Sequence, residues 1–147
     1  MKAFLSHSSR DKATVTQIAE QLGLANVELD ADTFDRGLLN VVAIQTALQK
    51  TSLFVLFLSS DALKSGYVRY ETMLGQELLA HGVIERFLVV CLDSEAFASA
   101  DEQWKAFNFV RKAVSPQSIA RLIQHNLILL GSIASGTKQP FVGRAKE

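Results

Sequence analysis

Leu53-Phe54-Val55-Leu56-Phe57-Leu58 is apolar at every position. Side chains on a strand point alternately to the two sides of its sheet, so this run presents apolar groups both ways. Such a run suits the middle of a parallel sheet with helices packed above and below. Ser59-Ser60-Asp61 ends it. Phe87–Leu92 (FLVVCL) has the same character and stops at Asp93. Further out, Lys2–Ser6 (KAFLS) and Val27–Leu29 read as short strands. Phe107–Val110 reads either as a fifth short strand or, with Trp104, as part of a helix.

Helical patterns separate these runs. Ser8 and Asp11 form an S-x-x-D helix start, followed by Val15, Ile18, Ala19 and Leu22 on one face, with Gly23 as a stop. Asp30 to Asn40 is a polar loop containing Gly37, and Val41, Ile44 and Leu48 give a second amphipathic helix. A third spans about Ser65 to Ala80 and ends near Gly82. Ser115-Pro116 starts a last one, with Ile119, Leu122, Ile123 and Leu127 as its buried face. The alternation predicts an α/β domain of three layers, a central parallel sheet of about five strands with helices on both faces. Gly131 to Pro140 (GSIASGTKQP) is small and polar and reads as a flexible linker.

Composition narrows the function classes. The chain has 147 residues, with 15 Lys+Arg against 15 Asp+Glu, so its formal net charge is zero. That argues against a broad electrostatic grip on nucleic acid, and leaves no net charge to repel a second copy of the chain. The single cysteine, Cys91, lies within an apolar run and reads as a buried strand residue. One thiol makes neither an internal disulfide nor a cysteine zinc site. The N-terminus turns polar at Ser6-His7, too early for a signal peptide. The longest unbroken aliphatic and aromatic run is Leu53–Leu58, far short of the roughly 20 residues of a membrane span. The expected location is the cytoplasm.

In open parallel sheets, ligands bind beyond the carboxyl ends of the strands. Here those positions carry Ser6, His7, Ser8 and Ser9, then Asp30 and Asp32, then Ser59, Ser60 and Asp61, then Asp93. Loop polarity and helix capping account for most of them, Ser8 and Asp61 included. His7 reads either as a hydrogen-bonded loop histidine or as a catalyst. Glu71 stands apart. At about 100° per residue, Tyr67, Glu71, Leu74 and Leu78 share one helical stripe with Tyr70 beside it, which puts a carboxylate on a face that should be buried. That is costly unless the group is paired or lines a cleft. A structural salt bridge and a cleft carboxylate are the two readings.

Ala3-Phe4-Leu5-Ser6-His7-Ser8-Ser9-Arg10-Asp11-Lys12 resembles the first signature box of bacterial TIR domains. Ser65-Gly66-Tyr67-Val68-Arg69-Tyr70-Glu71 is similar to the S-x-W-x-x-x-E stretch of TIR-domain NAD⁺ hydrolases, with Tyr67 in the tryptophan's place. Asp30 to Leu38, followed by an amphipathic helix, resembles the mobile BB loop, with Arg36 where many members have proline. The resemblance runs from residue 1 to about 134. It implies a flavodoxin-like fold, and it sets the chain apart from a response-regulator receiver, which needs an acidic pair after its first strand where this chain has Ser6 and His7.

The resemblance implies an NAD⁺ glycohydrolase that cleaves the nicotinamide–ribose bond when TIR domains self-associate, giving nicotinamide and linear or cyclic ADP-ribose. Glu71 would be catalytic. Phe4, Ser6, His7, Ser8, Phe34, Ser65 and Tyr67 would contact substrate or shape the pocket, although Phe4 is equally a core residue and Tyr67 equally a space filler. NAD⁺ would be substrate, with no metal and no other cofactor. Phe141-Val142-Gly143-Arg144, followed by Lys146-Glu147, resembles the opening of STAND-type or AAA-like ATPase modules. Residues 1–134 would then be the effector domain and 135–147 a linker and the start of an ATPase. Its partners would be NAD⁺, other TIR domains and the sensor domains of the same chain, in bacterial antiviral defence. The rival from another class is a non-catalytic TIR module that signals only through TIR–TIR contacts. A small-molecule-binding flavodoxin-like domain is disfavoured because the chain has no glycine-rich phosphate loop.

Overall fold

The structure, a computed structural model, describes residues 2–28, 41–93, 108–110 and 115–138, with Ala96 and Ala98. For residues 41–43, 67, 108–110 and 132–138 the description extends to the backbone alone. Five strands form one sheet: β1 (Ala3–Ser6), β2 (Val27–Glu28), β3 (Leu53–Leu58), β4 (Arg86–Cys91) and β5 (Asn108–Val110). Their order is β2-β1-β3-β4-β5 and every pairing is parallel. The all-apolar run is the middle strand, as its lack of a polar face requires. Of the two readings of Phe107–Val110, the strand holds for Asn108–Val110, while Trp104 and Phe107 lie outside the described residues.

The helices are α1 (Lys12–Leu22), α2 (Val41–Gln49), the single turn α3 (Ser60–Leu63), α4 (Gly66–Ala80) and α5 (Pro116–Lys138). Alternation along the strands divides the core in two. Ala3, Leu5, Val55, Phe57, Leu88 and Val90 pack against Val15, Ile18, Ala19 and Leu22 of α1 and Ile119 and Ile123 of α5. Phe4, Phe54, Leu56, Phe87 and Val89 pack against Ile44 and Leu48 of α2, Ala62 of α3 and Val68 of α4. Cys91 is buried on this second side. The result is the three-layer arrangement that the alternation predicts.

On the second side the phenylalanines make a ladder. Phe4, Phe54 and Phe87 are register neighbours on β1, β3 and β4. Their rings stack, with centroids 5.5 Å apart for Phe4–Phe54 and 4.6 Å for Phe54–Phe87. Stacked pairs contribute about 0.5–1.5 kcal/mol beyond their buried area. α4 lies on this ladder through Gly75, where an added Cβ would sit 2.8 Å from Cδ2 and Cε2 of Phe54. A glycine in mid-helix costs about 1 kcal/mol against alanine, and here it lets the helix approach the sheet closely.

Two expectations change. Gly131 to Lys138, read as flexible linker, is the continuation of α5. Extending an established helix avoids the cost of nucleating a new one, so small polar residues can follow a well-packed start. Ser8 and Asp11 do not form a reciprocal capping box. The Ser8 hydroxyl accepts from the Arg10 amide at 3.2 Å and caps a 3-10 turn over Ser9–Asp11, from which α1 continues. The Asp11 carboxylate is engaged elsewhere.

Candidate active site

The order of the sheet locates the site. From β1 the chain moves outward to β2, then returns to place β3 on the other side of β1. A parallel sheet has its ligand crevice at such a reversal, outside the carboxyl ends of the two diverging strands. Ser6 is the last residue of β1, paired with Leu56 of β3. Being two residues on from Phe4, it faces the side that holds α2 and α4.

Glu71 meets it there. α4 is capped by Ser65, whose hydroxyl accepts from the Val68 amide at 3.2 Å. The helix then buries Val68, Glu71, Thr72 and Gly75 against the sheet. Glu71 is 1% exposed and accepts a hydrogen bond from the Ser6 hydroxyl at 2.7 Å. Among the described residues no cation pairs with it, so the salt-bridge reading of this carboxylate finds no support there. Its Oε2 takes no hydrogen bond from a described residue. The buried stripe is centred slightly differently from the expected one. Leu74, Leu78 and Tyr70 are half-buried, and the line of closest approach runs through Gly75.

The rest of the crevice edge is held by hydrogen bonds. His7 is buried, with Nδ1 2.8 Å from the Leu5 carbonyl. A carbonyl only accepts, so Nδ1 carries the hydrogen of that contact. Ser59 caps α3 by accepting from the Ala62 amide at 3.1 Å and donates to Asp11 at 2.5 Å. Asp93 accepts from the amides of Ser60 at 3.2 Å and Ala96 at 2.7 Å. These contacts tie the ends of β1, β3 and β4 to one another.

The sequence-derived residues therefore separate. Ser6 and Glu71 are in contact, and His7 and Ser8 are buried beside Ser6 in the chain. Phe4 is fully buried in the phenylalanine ladder and supports the crevice from beneath. Ser65 is the cap that starts the Glu71 helix. Tyr67 lies in the first turn of α4, but its side chain, like all of Phe34 and the loop around it, lies outside the described residues. So do residues 139–147, the segment with the ATPase resemblance. Sequence reasoning missed Gly75, although a glycine in mid-helix one turn after a buried carboxylate is a signal of close packing. Thr72 was missed too. It is 3% exposed and its hydroxyl has no hydrogen-bond partner among the described residues.

Among the described residues no group of three or more His, Cys, Asp or Glu is placed to hold a metal ion. No described helix is long and apolar enough to cross a membrane. A comparison with curated proteins returned no match. The family described as TIR domain matches residues 3–123, which contain all five strands and both halves of the Ser6–Glu71 contact. The chain belongs to the TIR domain family.

Proposed function

We propose that this TIR domain is an NAD⁺ glycohydrolase, active when copies assemble. The observation that carries the reading is Glu71, a carboxylate 1% exposed on α4 and hydrogen-bonded to Ser6 at the reversal point of the sheet. Desolvating a carboxylate is expensive, and a module that works only by surface contacts gains nothing from it. The TIR family includes NAD⁺-cleaving members, and the S-x-Y-x-x-x-E stretch ending at Glu71 resembles theirs.

The chemistry suits a fixed carboxylate. Breaking the bond between nicotinamide and ribose builds positive charge on the anomeric carbon, as in glycoside hydrolysis. An oriented negative group in a site with little water stabilises that charge without having to reorganise. Nicotinamide leaves as a neutral molecule, so no general acid is required. Attack by water gives ADP-ribose, and attack from within the same molecule gives a cyclic product. Residues 135–147 would lead into an ATPase module whose oligomerisation gathers the TIR domains in an infected bacterial cell, and self-association would complete each pocket.

The test crowds the purified chain on beads with NAD⁺ and follows nicotinamide release. The wild type releases it, and Glu71→Gln, which keeps shape and hydrogen bonding, loses roughly 100- to 1000-fold or more. Equal release by both proteins would end the assignment of Glu71. No release by the wild type would favour the contact-only TIR module.

A further inference from the structure

We infer that Ser6 is a positioning residue: its hydroxyl holds the Glu71 carboxylate in place and does not itself contact substrate. The inference rests on the glycohydrolase reading above. Ser6 is fully buried at the end of β1, which has β2 on one side and β3 on the other, and Ser6 itself pairs with Leu56 of β3. A serine hydroxyl has one hydrogen to donate. Here it is directed to Glu71 Oε1 at 2.7 Å, a well-formed O–H···O hydrogen bond. The hydrogen that would bind a ribose oxygen or a phosphate is therefore already used.

A glutamate side chain has three rotatable bonds, and among the described residues only Ser6 restrains its carboxylate by hydrogen bonding. With Oε1 fixed, Oε2 is the oxygen left to meet charge developing on a bound sugar. Two further features set the bond length. Ser6 is fixed by the sheet register, and α4 is brought down onto Phe54 by the missing side chain of Gly75, one turn beyond Glu71. The bond thus joins the rigid middle of the sheet to a helix seated at a set distance above it. An error of about 1 Å at a reacting group costs on the order of 100-fold in rate.

The experiment measures kcat and KM for NAD⁺ in the bead assay, with circular dichroism and melting temperature recorded for each variant. Ser6→Ala should lower kcat roughly 10- to 100-fold and leave KM within about twofold, because the carboxylate it would misplace acts on the charge that develops in the transition state rather than on bound substrate. Ser6→Thr keeps the hydroxyl and should recover most of kcat. If its extra methyl is not accommodated, Ser6→Cys, close to serine in size and a weak donor, should give an intermediate kcat. A rise in KM with kcat unchanged in Ser6→Ala would mean that the hydroxyl binds substrate, and would overturn the inference. No change in either constant would do so too, as would equal losses in all three variants accompanied by equal falls in melting temperature. A wild type without turnover overturns the glycohydrolase reading and takes this role with it. That failure is seen in the unaltered chain, whereas failure of Ser6 alone is seen only beside an active wild type.

Discussion

Leu5, Val55 and Val90 pack toward α1 and α5, while Phe4, Phe54, Ser6 and Val89 of the same strands pack toward α2 and α4. The first side is aliphatic apart from Phe57, and the buried polar group that α5 contributes, Asn126, is satisfied by the Leu122 carbonyl at 2.9 Å and by Arg86 at 3.0 Å. The second side carries an aromatic ladder, a glycine contact, a buried serine–carboxylate pair and a Thr72 hydroxyl with no partner among the described residues. One side holds the domain together chiefly by close packing, its buried polar group Asn126 being satisfied. The other accepts polar groups that cost stability, and the pair at the end of β1 is the one placed where a ligand binds. Strand alternation lets a single sheet keep these two roles apart, since neighbouring residues on one strand serve opposite faces.

Three substitutions test that division. Ile18→Ala, on the aliphatic side, should have the largest effect on stability, about 2–5 kcal/mol in denaturant unfolding, with activity per folded molecule unchanged. A fall in that activity would show that the two sides are coupled. Gly75→Ala should cost about 1–3 kcal/mol, because the clash with Phe54 outweighs the gain in helix propensity. Unlike Ile18→Ala, it should also slow nicotinamide release in the bead assay, since lifting α4 draws Glu71 away from Ser6. Thr72→Val should have the smallest effect and the opposite sign. Removing a buried hydroxyl that has no partner among the described residues should stabilise the domain by up to about 1 kcal/mol, read as a raised melting temperature. A destabilised Thr72→Val would show that the hydroxyl is paired in solution. Glu71→Gln and Thr72→Val, one residue apart, would then separate a polar group kept for chemistry from one with no partner among the described residues.

Much of the fold was legible because its signals are local and periodic. LFVLFL has no polar face, so it had to be interior, and Val15, Ile18, Ala19 and Leu22 mark the packed face of α1 at helical spacing. Glu71 was legible as an anomaly against that background. The end of α5 was misread because Gly131–Lys138 lacks apolar periodicity, and a helix can run on from a well-packed start without it. The centre of the α4 stripe was displaced because a wheel weighted by apolar size favours Leu74 and Leu78, whereas the helix seats on its smallest residue. The S-x-x-D pattern marked a true helix start but misassigned Asp11, whose partner Ser59 lies 48 positions away.

The sequence by itself determined the class of fold, the central strand, the faces of the helices and the presence of a carboxylate where an apolar residue belonged. These follow from periodicity and from the cost of burying charge, which act over a few residues at a time. Only the tertiary structure decided what Glu71 touches. Ser6 is 65 positions from it in the chain, and their 2.7 Å contact depends on the return crossing that sets β3 beside β1 and on the close seating of α4 at Gly75. Contacts of that kind arise from the packing of whole elements, and no local pattern encodes them.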